Sequence, residues 1–267
     1  MKFPRNFFRV QHTDPVLLPK KIDELIELGL GLELRDFMLP ALLDSSKDLA
    51  LWVEAYREIS KGKLSFSIHG PVIDLNLGSV DEKIRQISIE RIIQAIKVVE
   101  ELSAEFLIVH TGYDHRFLNN KDRFESWIER SLESYSWIFN KIHIPKHLRA
   151  ICVENSPEES LNTYWVYLQA LTNKFVVGIP IRACIDYDHL LVKEKGLISQ
   201  ILKNPIVVYL HLPWKKRISY TICQNLPKHY LQSICFEGEL GNKVRRKLQK
   251  LTTNDKISCS LLDLRSS

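Results

Sequence analysis

Cysteine is scarce in this chain. Its 267 residues hold five, at positions 152, 184, 223, 235 and 259, an odd number with no Cys-x-x-Cys pair. That excludes a small domain held together by disulfides. Cys152, Cys184 and Cys235 lie inside apolar runs, so they read as buried core thiols of a cytoplasmic protein. No run of about 18 apolar residues is present, so no helical membrane span is expected. The start, MKFPRNFFRV, is too short and too charged for a signal peptide. Neither sign of charge dominates. Lys plus Arg is 37 against 32 for Asp plus Glu, a net charge of +5, which is weak support for a nucleic-acid partner. No GxGxxG follows the first apolar run and no GxxxxGK[ST] occurs, so dinucleotide-binding and P-loop chemistry lose support. A Pro/Gly/Ser-rich linker is also missing, and residues 1–267 read as a single domain.

What the chain does have is alternation. Hydrophobic residues make up 45% and charged residues 26%, as in an ordinary globular protein. Eight short apolar runs recur: Phe7–Gln11, Leu30–Leu34, Leu64–Ile68, Phe106–Val109, Ala150–Val153, Ala183–Ile185, Ile206–Leu210 and Ser233–Phe236. Most are continuous, as parallel strands buried on both faces should be. Between them lie amphipathic stretches. In one, Ile89, Ile92, Ile93, Ile96 and Val99 recur at helical spacing. Ser79-Val-Asp-Glu82 and Ser156-Pro-Glu-Glu159 read as capping boxes. A Lys/Arg-rich helix near Gly241–Leu251 reads as a solvated face, and no helix is evident over Pro213–Gln232. Eight strand–helix units predict an α/β fold, a single (β/α)8 TIM barrel.

Polar residues that can bind metal stand at the C-terminal ends of six consecutive strands. These are His69, His110, Glu154, Asp186, His211 and Glu237. In a barrel, strand ends converge on one mouth, where active sites are built. Imidazole mixed with carboxylate favours zinc, manganese or iron over calcium or magnesium. Six ligands exceed the needs of one catalytic zinc, whereas two metals sharing a bridging carboxylate would use them all. His189, in Asp186-x-x-His189, is a further ligand or an acid/base. His12 and Arg35 follow the first two strands and face the same mouth, as structural or substrate-binding residues.

The series HGPxxxLNLG from His69, VHTG at His110, VEN at Glu154, CIDxxH at Asp186 and His189, HL at His211, and Glu237 resembles the xylose isomerase-like TIM barrel superfamily. Within it the likeness is to the endonuclease IV, or AP endonuclease family 2, branch. The resemblance covers about residues 64–240. It implies one metal on His69, His110 and a bridging Glu154, and a second on Glu154, Asp186, His211 and Glu237. That branch carries an Asn-Asp pair after the strand-seven His, where this chain reads His211-Leu-Pro-Trp-Lys. Its Asp-x-His motif holds a third metal together with a His matching His189. The counterpart here is Pro227-Lys-His229, which makes His229 a candidate ligand without its Asp. The aromatic and basic insertions that open DNA have no counterpart.

The chain is also similar to sugar epimerases of the same superfamily. These use one metal on Glu, Asp, His and Glu, with a His and an Arg on the substrate, positions filled here by His189 and Arg217. The resulting expectation is a divalent-metal phosphoester hydrolase. Zinc or manganese is expected at two per chain, with Glu154, His189 and Glu237 catalytic and Lys215 and Arg217 on a phosphate. Its substrate is a small or cofactor-like phosphodiester, or DNA. The alternative is a single-metal sugar or sugar-phosphate isomerase or epimerase.

Overall fold

Strand and helix alternate along the chain because apolar runs and amphipathic stretches do. The computed structural model describes residues 6–18, 22–60, 62–157, 160–176, 178, 180–213, 217–224, 226 and 230–237. The strands are β1 (Phe8–His12), β2 (Gly31–Leu34), β3 (Phe66–His69), β4 (Phe106–His110), β5 (Ala150–Glu154), β6 (Ile181–Asp186), β7 (Val207–Pro213) and β8 (Ser233–Glu237). The α-helices are α1 (Ile22–Glu27), α2 (Pro40–Asp44), α3 (Ser46–Ser60), α4 (Glu82–Leu102), α5 (His115–Leu118), α6 (Lys121–Lys141), α7 (Leu161–Lys174), α8 (Val192–Lys195), α9 (Ile198–Ile201) and α10 (Arg217–Gln224).

All eight strands pair in parallel, in chain order, and β8 closes on β1 through Phe8 opposite Ile234. The expected TIM barrel is therefore the fold. Nearly every strand outruns its apolar run at the C-terminal end and takes in the polar residue there. His110 stands opposite Glu154, and Asp186 opposite His211. A polar side chain does not interrupt a ladder made by backbone groups.

The core has two parts. Phe106, Ile108, Cys152, Cys184, Tyr209 and Cys235 belong to a cluster of their own, as the inward positions of a barrel do. The larger cluster joins the outward strand residues to the helices. On α4, Ile89, Ile92, Ala95, Ile96 and Val99 are buried, the face that the helical spacing predicts. Cys152, Cys184, Cys223 and Cys235 are free and buried. Arg9 sits at the opposite end of the barrel from the mouth. It pairs with Glu105 and donates to Ser233 Oγ at 2.9 Å and to the Ser65 carbonyl at 3.2 Å, which compensates its burial.

Three local expectations need correction. The cap of α4 is Asp81, whose carboxylate accepts from the Lys83 amide at 2.8 Å, while Ser79 Oγ takes the Asp81 amide instead. A carboxylate caps well and also meets the positive end of the helix dipole. The cap of α7 is Ser160, accepting from Thr163. Ser156 lies 2.8 Å from Thr111 Oγ1, and residues 158 and 159 fall outside the described set. Finally, α10 occupies part of the stretch read as helix-free. At 8 residues it is about two turns, too short for a clear period. The expected helix near Gly241–Leu251 lies outside the described residues. Among the described residues, no helix is long and apolar enough to cross a membrane.

The loop from β3 to α4 frames one side of the mouth and is pinned by α6. Trp127 Nε1 donates to Asn76 Oδ1 at 2.8 Å, and Ser134 Oγ to the Leu77 carbonyl at 2.7 Å. A methyl on Gly78 would collide with the Trp127 ring and come 2.5 Å from Ser131 Oγ. Gly78→Ala is therefore expected to cost about 1–3 kcal/mol of stability, read as a lower urea midpoint. An unchanged midpoint would contradict this packing.

Candidate metal centre

Four of the strand-end residues, His69, His110, Asp186 and His211, meet at the fifth, Glu154, and Glu237 joins the cluster through His211. Glu154 ends β5 and is 1% exposed. His69 Nε2 lies 3.6 Å and His110 Nε2 3.5 Å from its Oε2. His211 Nδ1 lies 3.2 Å from the same oxygen and 3.7 Å from Glu237 Oε1. His189 Nδ1 lies 3.4 Å from Glu154 Oε1, and its Nε2 lies 3.4 Å from Asp186 Oδ2. Potential ligand atoms fall into overlapping groups within 4.8 Å: His69–His110–Glu154, Glu154–Asp186–His189 and Asp186–His211–Glu237.

The rings are anchored from behind. A carbonyl oxygen only accepts, so His69 Nδ1–H donates to Gly70 at 3.1 Å and His189 Nδ1–H to Asn155 at 2.7 Å. Each ring thus turns its Nε2 toward the carboxylates. His211 is reversed: Nε2–H donates to Glu33 Oε2 at 2.9 Å, and Nδ1 faces the cluster. Asp186 is held by the amides of Asp188 and His189, and Asn155 bonds to its backbone on both sides.

Glu33, in the middle of β2, and Gln11 on β1 belong to the cluster at the mouth, and the motif reading misses them. The Gln11 amide donates to Glu33 Oε1 at 3.0 Å and to Glu237 Oε1 at 2.8 Å. Arg35 in turn donates to Gln11 Oε1 at 3.0 Å, so it supports the mouth through Gln11. His12 bonds to the Asp14 carbonyl at 2.9 Å. A signal for Glu33 does exist: a carboxylate between two leucines in a strand buried on both faces must have partners.

Electrostatics follow from this packing. Burial pushes the Glu154 carboxyl up, but the charges of His110 and His211, with His69 beside it, outweigh burial and hold it well below the usual range. Glu33, against the same burial, is brought down to about 2 by the charge and hydrogen bond of His211. Asp186 is raised to about 6 by burial and by its neighbours Glu154 and Glu237. His110 is lowered to about 4 by burial, helped by the other imidazoles, so at neutral pH it has a free lone pair. His69 and His211 are raised, because their carboxylate partners outweigh burial.

Two buried atoms test whether a cation fits. Glu154 Oε2 and His211 Nδ1 have no hydrogen-bond partner among the described residues. Leaving both so would cost about 1–3 kcal/mol each. Both are ligand atoms facing the same space, and a divalent cation would satisfy them together. The donor set, imidazole with carboxylate, suits zinc or manganese. Of the other expected site residues, Lys215 and His229 lie outside the described residues. Arg217 opens α10, and only its backbone is described.

Comparison with known proteins follows the same lines. A profile of the xylose isomerase-like TIM barrel family matches residues 30–216, and the chain belongs to that family. The chain is 34% identical over 50 residues to MJ1614, an uncharacterised protein of Methanocaldococcus jannaschii. That match spans 19% of this chain and about a fifth (20%) of the relative's length. Among solved structures, it is similar to endonuclease IV from Thermus thermophilus, with a TM-score of 0.62 and 15% identity over 93% of this chain and 97% of that one. It is similar also to 3-keto-D-glucoside 4-epimerase YcjR from E. coli, with a TM-score of 0.64 and 13% identity over 92% and 99%. At such identities the likeness shows the fold alone.

The raised histidines give a pH dependence. Their folded values exceed the ordinary 6.5. Their contribution to metal-free stability is therefore complete below about 6.5 and is lost as pH rises through the folded values. A cation competes with those protons. Zinc added at pH 7 is expected to release about one proton or more per chain and to bind more tightly as pH rises from about 6 to 8. Calorimetry in buffers of different ionisation enthalpy reads both, and binding without proton release would contradict the assignment.

Proposed function

We propose that the barrel mouth is a dinuclear metal site that hydrolyses a phosphoester. The observation that carries this reading is that Glu154 is shared by several ligand groups. It groups with His69 and His110 and also with Asp186 and His189, while Asp186, His211 and Glu237 form a group of their own. Glu154, the carboxylate these groups share, would be the ligand common to both cations. Divalent cations bound there, zinc or manganese, would supply charge neutralisation at the phosphoester and a more acidic water.

The remaining work falls to side chains. His110, neutral at pH 7, needs to lose no proton before ligating. His189 keeps its Nδ1 proton on the Asn155 carbonyl, so its Nε2 is free to accept a proton or hold the substrate. Asp186, titrating near 6, ionises fully once a positive charge is beside it. Lys215 and Arg217 follow the end of β7 in sequence and are assigned to the phosphate. A small or cofactor-like phosphodiester suits the modest net charge of +5 as well as DNA does.

A second reading rests on one feature. Asp186, His211 and Glu237 form a ligand group by themselves, and with Glu154 beside it a single cation could be held without His69 or His110. Glu154 and Glu237 would then move protons on the carbons of a sugar or sugar phosphate, as an isomerase or epimerase requires.

Two substitutions separate these readings. Glu154→Gln is expected to lower activity about a thousandfold or more under either. His110→Ala is expected to lower phosphodiester hydrolysis about a hundredfold or more if two cations act together. Rates on bis(p-nitrophenyl) phosphate and on a panel of ketoses give the comparison. Hydrolysis unaffected by His110→Ala would sink the dinuclear reading, and turnover of a ketose alone would establish the isomerase.

A further inference from the structure

We infer that Glu33 is a positioning residue, which turns His211 so that its Nδ1 faces the carboxylate cluster and thereby sets metal affinity on the Asp186–Glu237 side of Glu154. This rests on the reading of the mouth as a metal site.

The geometry distinguishes His211 from its neighbours. His69 and His189 are anchored by backbone carbonyls. His211 alone among these three is anchored by a carboxylate, at 2.9 Å. It is also the only one of the three whose Nδ1 faces the cluster without a backbone carbonyl on it, since His189 Nδ1, 3.4 Å from Glu154 Oε1, is bonded to Asn155. Both partners are fully buried, each with side-chain exposure of 0%, so no water competes for the contact. Such carboxylate–histidine pairs fix the ring and raise its basicity toward a metal.

Glu33 is poorly placed to be a ligand itself, although Glu33, His211 and Cys235 lie close enough to form a group. Its oxygens are already committed. Oε2 accepts from Tyr209 at 2.8 Å and from His211, and Oε1 accepts from Gln11 at 3.0 Å. Three donors on one buried carboxylate make it a fixed acceptor. Gln11 carries the order one step further, since the same amide holds Glu237 at 2.8 Å. Two of the three ligands on that side, His211 and Glu237, therefore depend on the Glu33–Gln11 pair. On the other side, His69 is anchored by the Gly70 carbonyl and feels only the charge of Glu33, without a hydrogen bond to it, and no Glu33 contact to His110 exists among the described residues.

This asymmetry makes the test specific. Zinc binding is measured by competition with a chromophoric chelator for the full chain, for Glu33→Gln and for Glu33→Ala. Tyr209→Phe is the comparison, because it removes a different donor from the same carboxylate and leaves His211 its acceptor. In Glu33→Ala the equivalent on the His211 side is expected to weaken about 10–100-fold. The other should stay within about threefold, and Glu33→Gln, which keeps a neutral acceptor, should fall between. Tyr209→Phe is expected to lower the thermal midpoint and leave both affinities in place. In zinc-loaded wild-type protein, nitrogen-15 shifts should place the remaining His211 proton on Nε2, and Glu33→Ala should lose that signature. If Glu33→Ala does not fold, Glu33→Gln decides alone. Equal weakening of both equivalents, or of neither, overturns the inference. If the wild-type chain binds a single equivalent, the dinuclear reading fails, and the same ratios at that one site still decide the role of Glu33.

Discussion

Everything at the mouth of this barrel is arranged around a buried negative charge. Glu154 is 1% exposed, and moving a carboxylate out of water costs several kcal/mol unless it is compensated. The compensation comes from imidazoles on β3, β4 and β7 and from His189 just past β6. Those side chains reach one point only because the eight strands close into a ring. The same crowding leaves Glu154 Oε2 and His211 Nδ1 without a hydrogen bond among the described residues. Protons on His69 and His211, held there by their carboxylate partners, offset that charge in the metal-free barrel.

Below this centre lies a second buried charge, Glu33, which the same architecture turns to use. The two carboxylates flank His211 from opposite sides, one at each ring nitrogen. A ring held this way has little freedom to rotate, and a ligand that need not be ordered on binding costs less entropy. At the other end of the barrel Arg9 with Glu105 closes the floor. The interior between is filled by Phe106, Ile108, Cys152, Cys184, Tyr209 and Cys235. The barrel is thus a packed column with ionic groups at its two ends, and among the described residues the groups that could hold a metal gather toward the mouth.

The strands and the residues at their ends are readable in the sequence because both obey local rules. A continuous apolar run is a buried parallel strand, and a polar residue following it must emerge at the C-terminal rim. The inward alternation is visible at three site residues: Cys152 precedes Glu154 by two, Cys184 precedes Asp186, and Cys235 precedes Glu237. Glu33 and Gln11 escape such a reading because they sit within strands and not after them. Their partners are also remote. Gln11 meets Glu237 across 226 positions, and Glu33 meets His211 across 178. Only barrel closure creates those pairs. The two helix caps lie a few residues from their expected places because Ser79 and Asp81 compete in one short segment and Ser156 and Ser160 in another, and the local sequence does not rank them.

The shared ligand set explains why two readings of one mouth compete. Glu154, Asp186, His211 and Glu237 would serve a single-cation isomerase as well as half of a dinuclear hydrolase. His69 and His110 are what tilts the balance, since only the second chemistry gives them work. The most direct test is an anomalous difference map at the zinc edge from crystals grown with zinc. The expected map has two peaks flanking Glu154, one against His69 and His110 and one against Asp186, His211 and Glu237. A lone peak on the Asp186 side would contradict the dinuclear account, and an empty mouth would contradict the assignment of a metal centre altogether.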